Sequence, residues 1–93
     1  MPLPIGIVAC SAEGASLCYR TICTEGPAFL GGHAHPEIAM HTPSLDDYMA
    51  AIERDDWAAV GEIMLDSARK LASIGAAFAI CPDNTIHQAL PLI

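Results

Sequence analysis

Apolar residues follow two rhythms along this chain. Residues 4–9 (PIGIVA) and 76–81 (AAFAIC) are nearly continuous apolar runs, and residues 37–42 (EIAMHT) form a weaker one. Runs of this length predict strands, and the absence of polar alternation in the first and third predicts burial on both faces, as in a parallel sheet. Between the runs, apolar residues recur every three or four positions. Ala15, Cys18, Tyr19, Ile22 and Cys23 fall on one helical stripe. Tyr48, Met49 and Ile52 give a second, and Trp57, Val60, Met64, Ala68 and Leu71 a third.

The residues between these segments set their limits. Ser11 is placed to cap the first helix, and Gly26-Pro27 to stop it, leaving residues 27–36 as loop. Ser44, with Asp47 three residues on, has the spacing of a capping box behind Pro43. Residues 53–56 (ERDD) form a solvated break in which Asp55 or Asp56 caps the third helix, and Gly75 ends that helix. After the third strand, Asp83 or Asn84 is placed to cap a short helix over residues 85–90. The predicted order is β-α-β-αα-β-α. Right-handed crossovers arrange it as a short parallel sheet of strand order 2-1-3 in a three-layer α/β/α fold. All three strands then end at one edge, where Cys10-Ser11, Thr42-Pro43-Ser44 and residues 81–85 converge.

Composition narrows the functions such a domain can have. The 93 residues make one small domain, with a core limited to roughly 60–65% of the unfolded surface. Four basic against eleven acidic residues give a net charge of −7, with no Lys/Arg cluster. A phosphate backbone or an anionic membrane is therefore not an expected partner. No apolar run approaches the roughly 20 residues of a membrane span. Cys10, Cys18, Cys23 and Cys81 sit within apolar patterns, and no basic, apolar leader precedes them. They read as free thiols of a cytoplasmic protein.

The richest chemistry lies in residues 81–87 (CPDNTIH), which place a thiol, a carboxylate, an amide and a hydroxyl within five residues at a strand end. Backbone N–H groups at the start of the following helix favour an anion there. Other chemistries lack their signatures. No P-loop, G-x-G-x-x-G or H-E-x-x-H is present, and His33-x-His35 has no companion ligands in the sequence around it. Ser11, His87 and Asp83 could be drawn as a triad, but no nucleophile elbow supports them. No cofactor or metal is expected.

Taken together, several short motifs resemble the PLP-independent aspartate/glutamate racemases. They are Ile5-Gly6-Ile7-Val8, Ser11-x-Glu13, Tyr19-Arg20-x-Ile22, Leu30-Gly31-Gly32-His33, the helix from Asp56-Trp57 to Ala72 with Gly75-Ala76, and Asn84-Thr85-x-His87. The last is the most specific, and the set runs nearly the length of the chain.

The resemblance implies a pseudo-symmetric fold of two α/β halves, of which residues 1–93 are the first. It implies two acid/base residues, usually cysteines, on opposite faces of the substrate α-carbon, one from each half. Asn84 and Thr85 would hold a substrate carboxylate, helped by Ser11, with Thr42 at the neighbouring strand end. In the family the thiol of this half precedes Asn-Thr directly. Here Asp83 takes that place and Cys81 lies two residues earlier, so Asp83 and Cys81 are the candidate acid/base groups. The expected substrate is a small carboxylate or amino acid. The expected partner is a second copy of the chain or a missing C-terminal half. The alternatives are a non-catalytic domain binding a small carboxylate or a protein partner, and a related cofactor-free decarboxylase or isomerase.

Overall fold

The structure, a computed structural model, describes residues 3–93. Its elements are β1 (Ile5–Val8), α1 (Ala12–Leu30), β2 (Ile38–His41), α2 (Leu45–Glu53), α3 (Trp57–Ser73), β3 (Phe78–Ile80) and a closing 3₁₀ helix (Thr85–Leu92). The strands form one parallel sheet in the order β2-β1-β3, as the crossover rule predicts.

Register divides the sheet into two unequal faces. Ile5 pairs with Ile38 and Phe78, and Ile7 with Met40 and Ile80, so these residues share one face. Gly6, Val8 and Cys10 turn to the other, where α2 and α3 pack. There Val8, Cys10, Tyr48, Val60, Met64, Leu71 and Ile86 form the buried core. The stripe of α3 supplies most of it, with Val60 and Leu71 at most 2% exposed. Ser67, on the same side of α3, is also fully buried and satisfies its hydroxyl with His41 Nδ1 of β2 at 2.7 Å.

The opposite face carries α1 alone. A single helix covers the central strand, leaving Ile7 fully buried, while Met40 and Phe78 on the flanking strands remain 46% and 57% exposed. Beside α1 runs an apolar groove of about 440 Å³ lined by Ile5, Ile22, Phe29, Leu30 and Pro36 among others. The third run is thus not buried as its composition predicts: Phe78 is exposed because β3 is an edge strand with no helix over its α1 side, and Ala79, on the opposite face, is exposed as well.

Helix limits follow the sequence signals in some places and depart in others. Asp56 caps α3 by accepting the Ala59 N–H at 3.1 Å. Its C-terminus closes with paired bonds from Gly75 N to the Ala72 carbonyl and from Ala76 N to the Leu71 carbonyl, and Gly75 takes the required positive φ of 96°. Asp55 also has positive φ, at 56°, and its carboxylate accepts the Trp57 indole N–H at 2.7 Å. By contrast, Gly26-Pro27 does not stop α1, which continues to Leu30 and ends with Gly31 N donating to the Pro27 carbonyl at 2.8 Å. Proline removes one donor close to the helix end, and the α1 backbone at Gly26 lies against Ala34 and His35 of the following loop. Along α1 only Ala15 is fully buried; Cys18, Ile22 and Cys23 are half-buried and Tyr19 is exposed.

Two predicted caps are not formed. Ser44 begins α2 without a side-chain cap; its carbonyl takes the Asp47 N–H instead. Neither Asp83 nor Asn84 caps the last helix: Asn84 makes no side-chain cap bond, and Asp83 is engaged elsewhere. That last helix is 3₁₀ rather than α and runs through Pro91.

Candidate functional site

The C-terminal edge of the sheet brings the first and third strand ends into one cradle. Its centre is Asp83. Ser11 Oγ donates to Asp83 Oδ1 at 2.6 Å, and Ser11 N donates to Asp83 Oδ2 at 3.1 Å. Ser11 Oγ in turn accepts the Gly14 N–H at 3.1 Å, so the N-cap of α1 and the seat of Asp83 are one network. The carboxylate therefore sits at the positive end of a 19-residue helix, a favourable place for an anion. Gly14 makes room for it: a Cβ at that position would lie 3.0 to 3.2 Å from three carboxylate atoms of Asp83.

The thiols flank this carboxylate. Cys81 follows β3, two residues before Asp83, and is half-buried. Burial raises the Cys81 thiol above its ordinary value, the Asp83 N–H opposes that rise, and the Asp83 charge adds to it. Cys10 follows β1 and is only 7% exposed. Burial, then the Asp83 carboxylate and Cys81, push its thiol up to about 11. Both cysteines, like Cys18 and Cys23, are free. At neutral pH the cradle thus holds two protonated thiols beside a carboxylate.

Of the residues singled out in the sequence, Ser11, Cys81 and Asp83 are half-buried in this cradle. Asn84, Thr85 and Thr42 lie exposed around the same sheet edge. Both Ser11 donors are on Asp83. His87 does not join Ser11 in a triad; its Nε2–H donates to the Cys81 carbonyl at 2.8 Å, which fixes the turn and leaves Nδ1 unprotonated when the ring is neutral. His33 and His35 are exposed in the loop after α1, and His35 Nδ1 bonds the Pro36 carbonyl at 2.8 Å. Among the described residues no group of three or more His, Cys, Asp or Glu side chains could hold a metal. No helix among them is long and apolar enough to cross a membrane.

Two residues of the cradle escaped sequence reasoning. Gly14 reads as an ordinary helical glycine until Asp83 is placed against it. Tyr48 reads as part of the apolar face of α2, and its ring does fill the core at 0% exposure. Its hydroxyl, however, is buried with no hydrogen-bond partner among the described residues. Burial raises the Tyr48 phenol, and Cys10, Cys81 and Asp83 raise it further, in that order. An Asn-Thr turn was the available sequence signal for the site's location; nothing local marks either of these residues.

No protein-family model matches this chain, and no curated protein matches it. Among solved structures it is similar to a crystal structure from Yersinia pestis described as a "putative Asp/Glu Racemase", with a TM-score of 0.90 and 22% sequence identity. The match covers 97% of this chain and 40% of the Yersinia pestis chain. At that identity the likeness speaks for the fold. The chain accordingly has a racemase-like α/β fold and spans two-fifths of the length of the solved protein that shares it.

Proposed function

We propose that this chain supplies one half of the site of a cofactor-independent amino-acid racemase of the aspartate/glutamate type. The observation that carries the reading is the Asp83–Ser11 cradle at the strand ends, beside the exposed Asn84-Thr85 turn. The fold shared with the Yersinia pestis protein supports it.

In this reading Asn84 and Thr85 hold the substrate carboxylate with neutral donors, and Thr42 borders it. Asp83, or Cys81 in its stead, is the acid/base group facing one side of the α-carbon. Racemisation needs one group to take the α-proton and another, on the opposite face, to return one. A single strand-end turn serves one face, so the second group comes from another half, in a longer polypeptide or a second copy. The uncovered face with Met40, Phe78 and Phe29 is apolar surface that such a half or copy would shield. Ser11 reaches the substrate only by exchanging Asp83 for a substrate carboxylate, a step that would also release Asp83 to act as base.

The test is calorimetric titration with the enantiomers of aspartate and glutamate, on the natural sequence and on Asn84→Ala. Binding that is lost in the variant is the expected result. Equal affinity in both, or no binding of any of the four to the natural sequence, contradicts the reading.

A further inference from the structure

We propose that His87 is a positioning residue that staples the strand-end turn at both of its ends, and so holds the Asn84-Thr85 segment ready for a carboxylate. The proposal rests on the reading of this turn as the carboxylate site. It goes beyond that reading by giving a role to a side chain that is not one of the turn's own donors, and a defined tautomer to its ring.

The turn after β3 has little regular structure of its own to hold it. Pro82 brings no backbone donor, and the helix that follows is 3₁₀, whose hydrogen bonds are poorer than those of an α-helix. Neither expected cap supports that helix: Asn84 makes no side-chain cap bond, and the Asp83 carboxylate is held by Ser11. Ile86, at 0% exposure, anchors the segment in the core. His87 closes it from outside with two bonds. Its backbone N–H donates to the Asn84 carbonyl at 3.1 Å, and its ring Nε2 lies 2.8 Å from the Cys81 carbonyl oxygen. One residue thus joins the strand end to the first turn of the helix, and residues 82–86 lie inside the loop it closes.

The chemistry of the acceptor fixes the ring. A carbonyl oxygen only accepts, so Nε2 carries the proton and Nδ1 is bare in the neutral ring. Protonation of the ring adds a proton at Nδ1 and leaves the Nε2–H donor in place, so the staple holds in both charge states. His87 is exposed, so its ring is not there to fill the core; what it contributes is a donor at a fixed reach. Asn84 and Thr85 are exposed too, with no core packing of their own to order them. A carboxylate that met them unordered would lose affinity to their ordering, a cost that a pre-formed turn removes.

The experiment compares residues 1–93 in the natural sequence with His87→Gln, His87→Asn and His87→Ala. Glutamine brings an amide nitrogen to the reach of Nε2 and asparagine to the reach of Nδ1, so only glutamine should restore the bond to the Cys81 carbonyl. Backbone order parameters from heteronuclear NMR are the first readout. At Asn84 and Thr85 they should be about 0.85 in the natural sequence and in His87→Gln, and fall toward about 0.6 in His87→Asn and His87→Ala. Alanine is the better helix former, so a loss there is not one of propensity. The amides of α3 should be unchanged and report an intact fold. An unchanged turn in His87→Ala, or asparagine restoring order as well as glutamine, overturns the proposal. A second readout needs no substitution. Long-range proton–nitrogen correlation of the natural sequence should show the neutral His87 ring protonated at Nε2 and bare at Nδ1; the opposite tautomer overturns the proposal. Calorimetric titration with the enantiomers of aspartate and glutamate is the third. Affinity should be roughly tenfold weaker in His87→Asn and His87→Ala and retained in His87→Gln. Equal affinity in all four proteins overturns the proposal. A natural sequence that binds none of the four amino acids fails the proposed function, while the order parameters and the tautomer decide this inference by themselves.

Discussion

Ser11 and Asp83 stand 72 residues apart in the chain, yet both Ser11 donors, N and Oγ, are spent on the two Asp83 oxygens. This pair joins the start of α1 to the turn after β3, and it turns the end of a helix into the seat of a carboxylate. Asp83→Ala and Ser11→Ala should each destabilise the fold, the latter by about 0.5–2 kcal/mol for the lost cap plus a charge-assisted bond of about 1.5–3 kcal/mol. The double variant should cost less than the sum by a coupling of about 0.5–3 kcal/mol. Urea unfolding of the four proteins measures it. Additive costs would mean that the two residues do not act as one unit.

Gly14 gives a test whose sign changes with its neighbour. Glycine to alanine inside a helix normally stabilises by about 1 kcal/mol. Here the added methyl would meet the Asp83 carboxylate at 3.0 to 3.2 Å. Gly14→Ala should therefore be neutral or destabilising with Asp83 present, and stabilising in an Asp83→Ala background. Melting temperatures of the single and double variants show whether the sign reverses.

The pH dependence of stability follows from the buried thiols. Cys10 is raised from 9.0 to about 11 by burial first, and Cys81 is raised as well. The folded protein keeps protons that the unfolded chain releases near pH 9, so this contribution is fully present below that pH and is lost as pH rises toward 11. The urea midpoint should be level from neutral pH to the unfolded thiol value and then decline. Cys10→Ala should make the decline shallower. An unaltered slope in that variant would remove Cys10 as its cause.

Asn84 separates binding from folding. It is exposed and makes no side-chain cap bond. Asn84→Ala should change stability by no more than about 0.5 kcal/mol, the range for surface positions outside structural networks. A large fall in the melting temperature would assign Asn84 to the fold and not to a ligand.

How far the sequence foretold this arrangement depends on the distance over which each signal acts. Strand and helix count are legible because continuous apolar runs and three-to-four spacing are local, and strand order follows from the crossover rule once the elements are known. Gly75, and Asp56 as one of two adjacent candidates, are legible as caps because they bond neighbours within five residues. Pro27 misled because its cost near a helix end is small enough for the chain to carry on to Gly31. Exposure of β3 was hidden because an apolar run does not reveal how many helices lie over it. Asp83 was picked out as a site residue, but local pattern made it a cap for the helix after it. Its actual partner is Ser11, on the first strand's side of the molecule. Tyr48 was assigned to the core, and its ring is there; only tertiary structure shows where the hydroxyl lies.

In the proposed function the strand-end turn moves the α-proton of an amino acid from one face. Its most direct measurement is proton NMR of L- and D-aspartate and glutamate in deuterated water with residues 1–93, combined with chiral chromatography and sedimentation. The expected result is loss of the α-proton signal with configuration retained, no opposite enantiomer from a monomer, and slower exchange in Asp83→Asn and Cys81→Ser. Opposite enantiomer formed only by a homodimer would mean that a second copy supplies the other face. An α-proton that never exchanges in any of the four amino acids, or racemisation by a monomer, would overturn the proposed function.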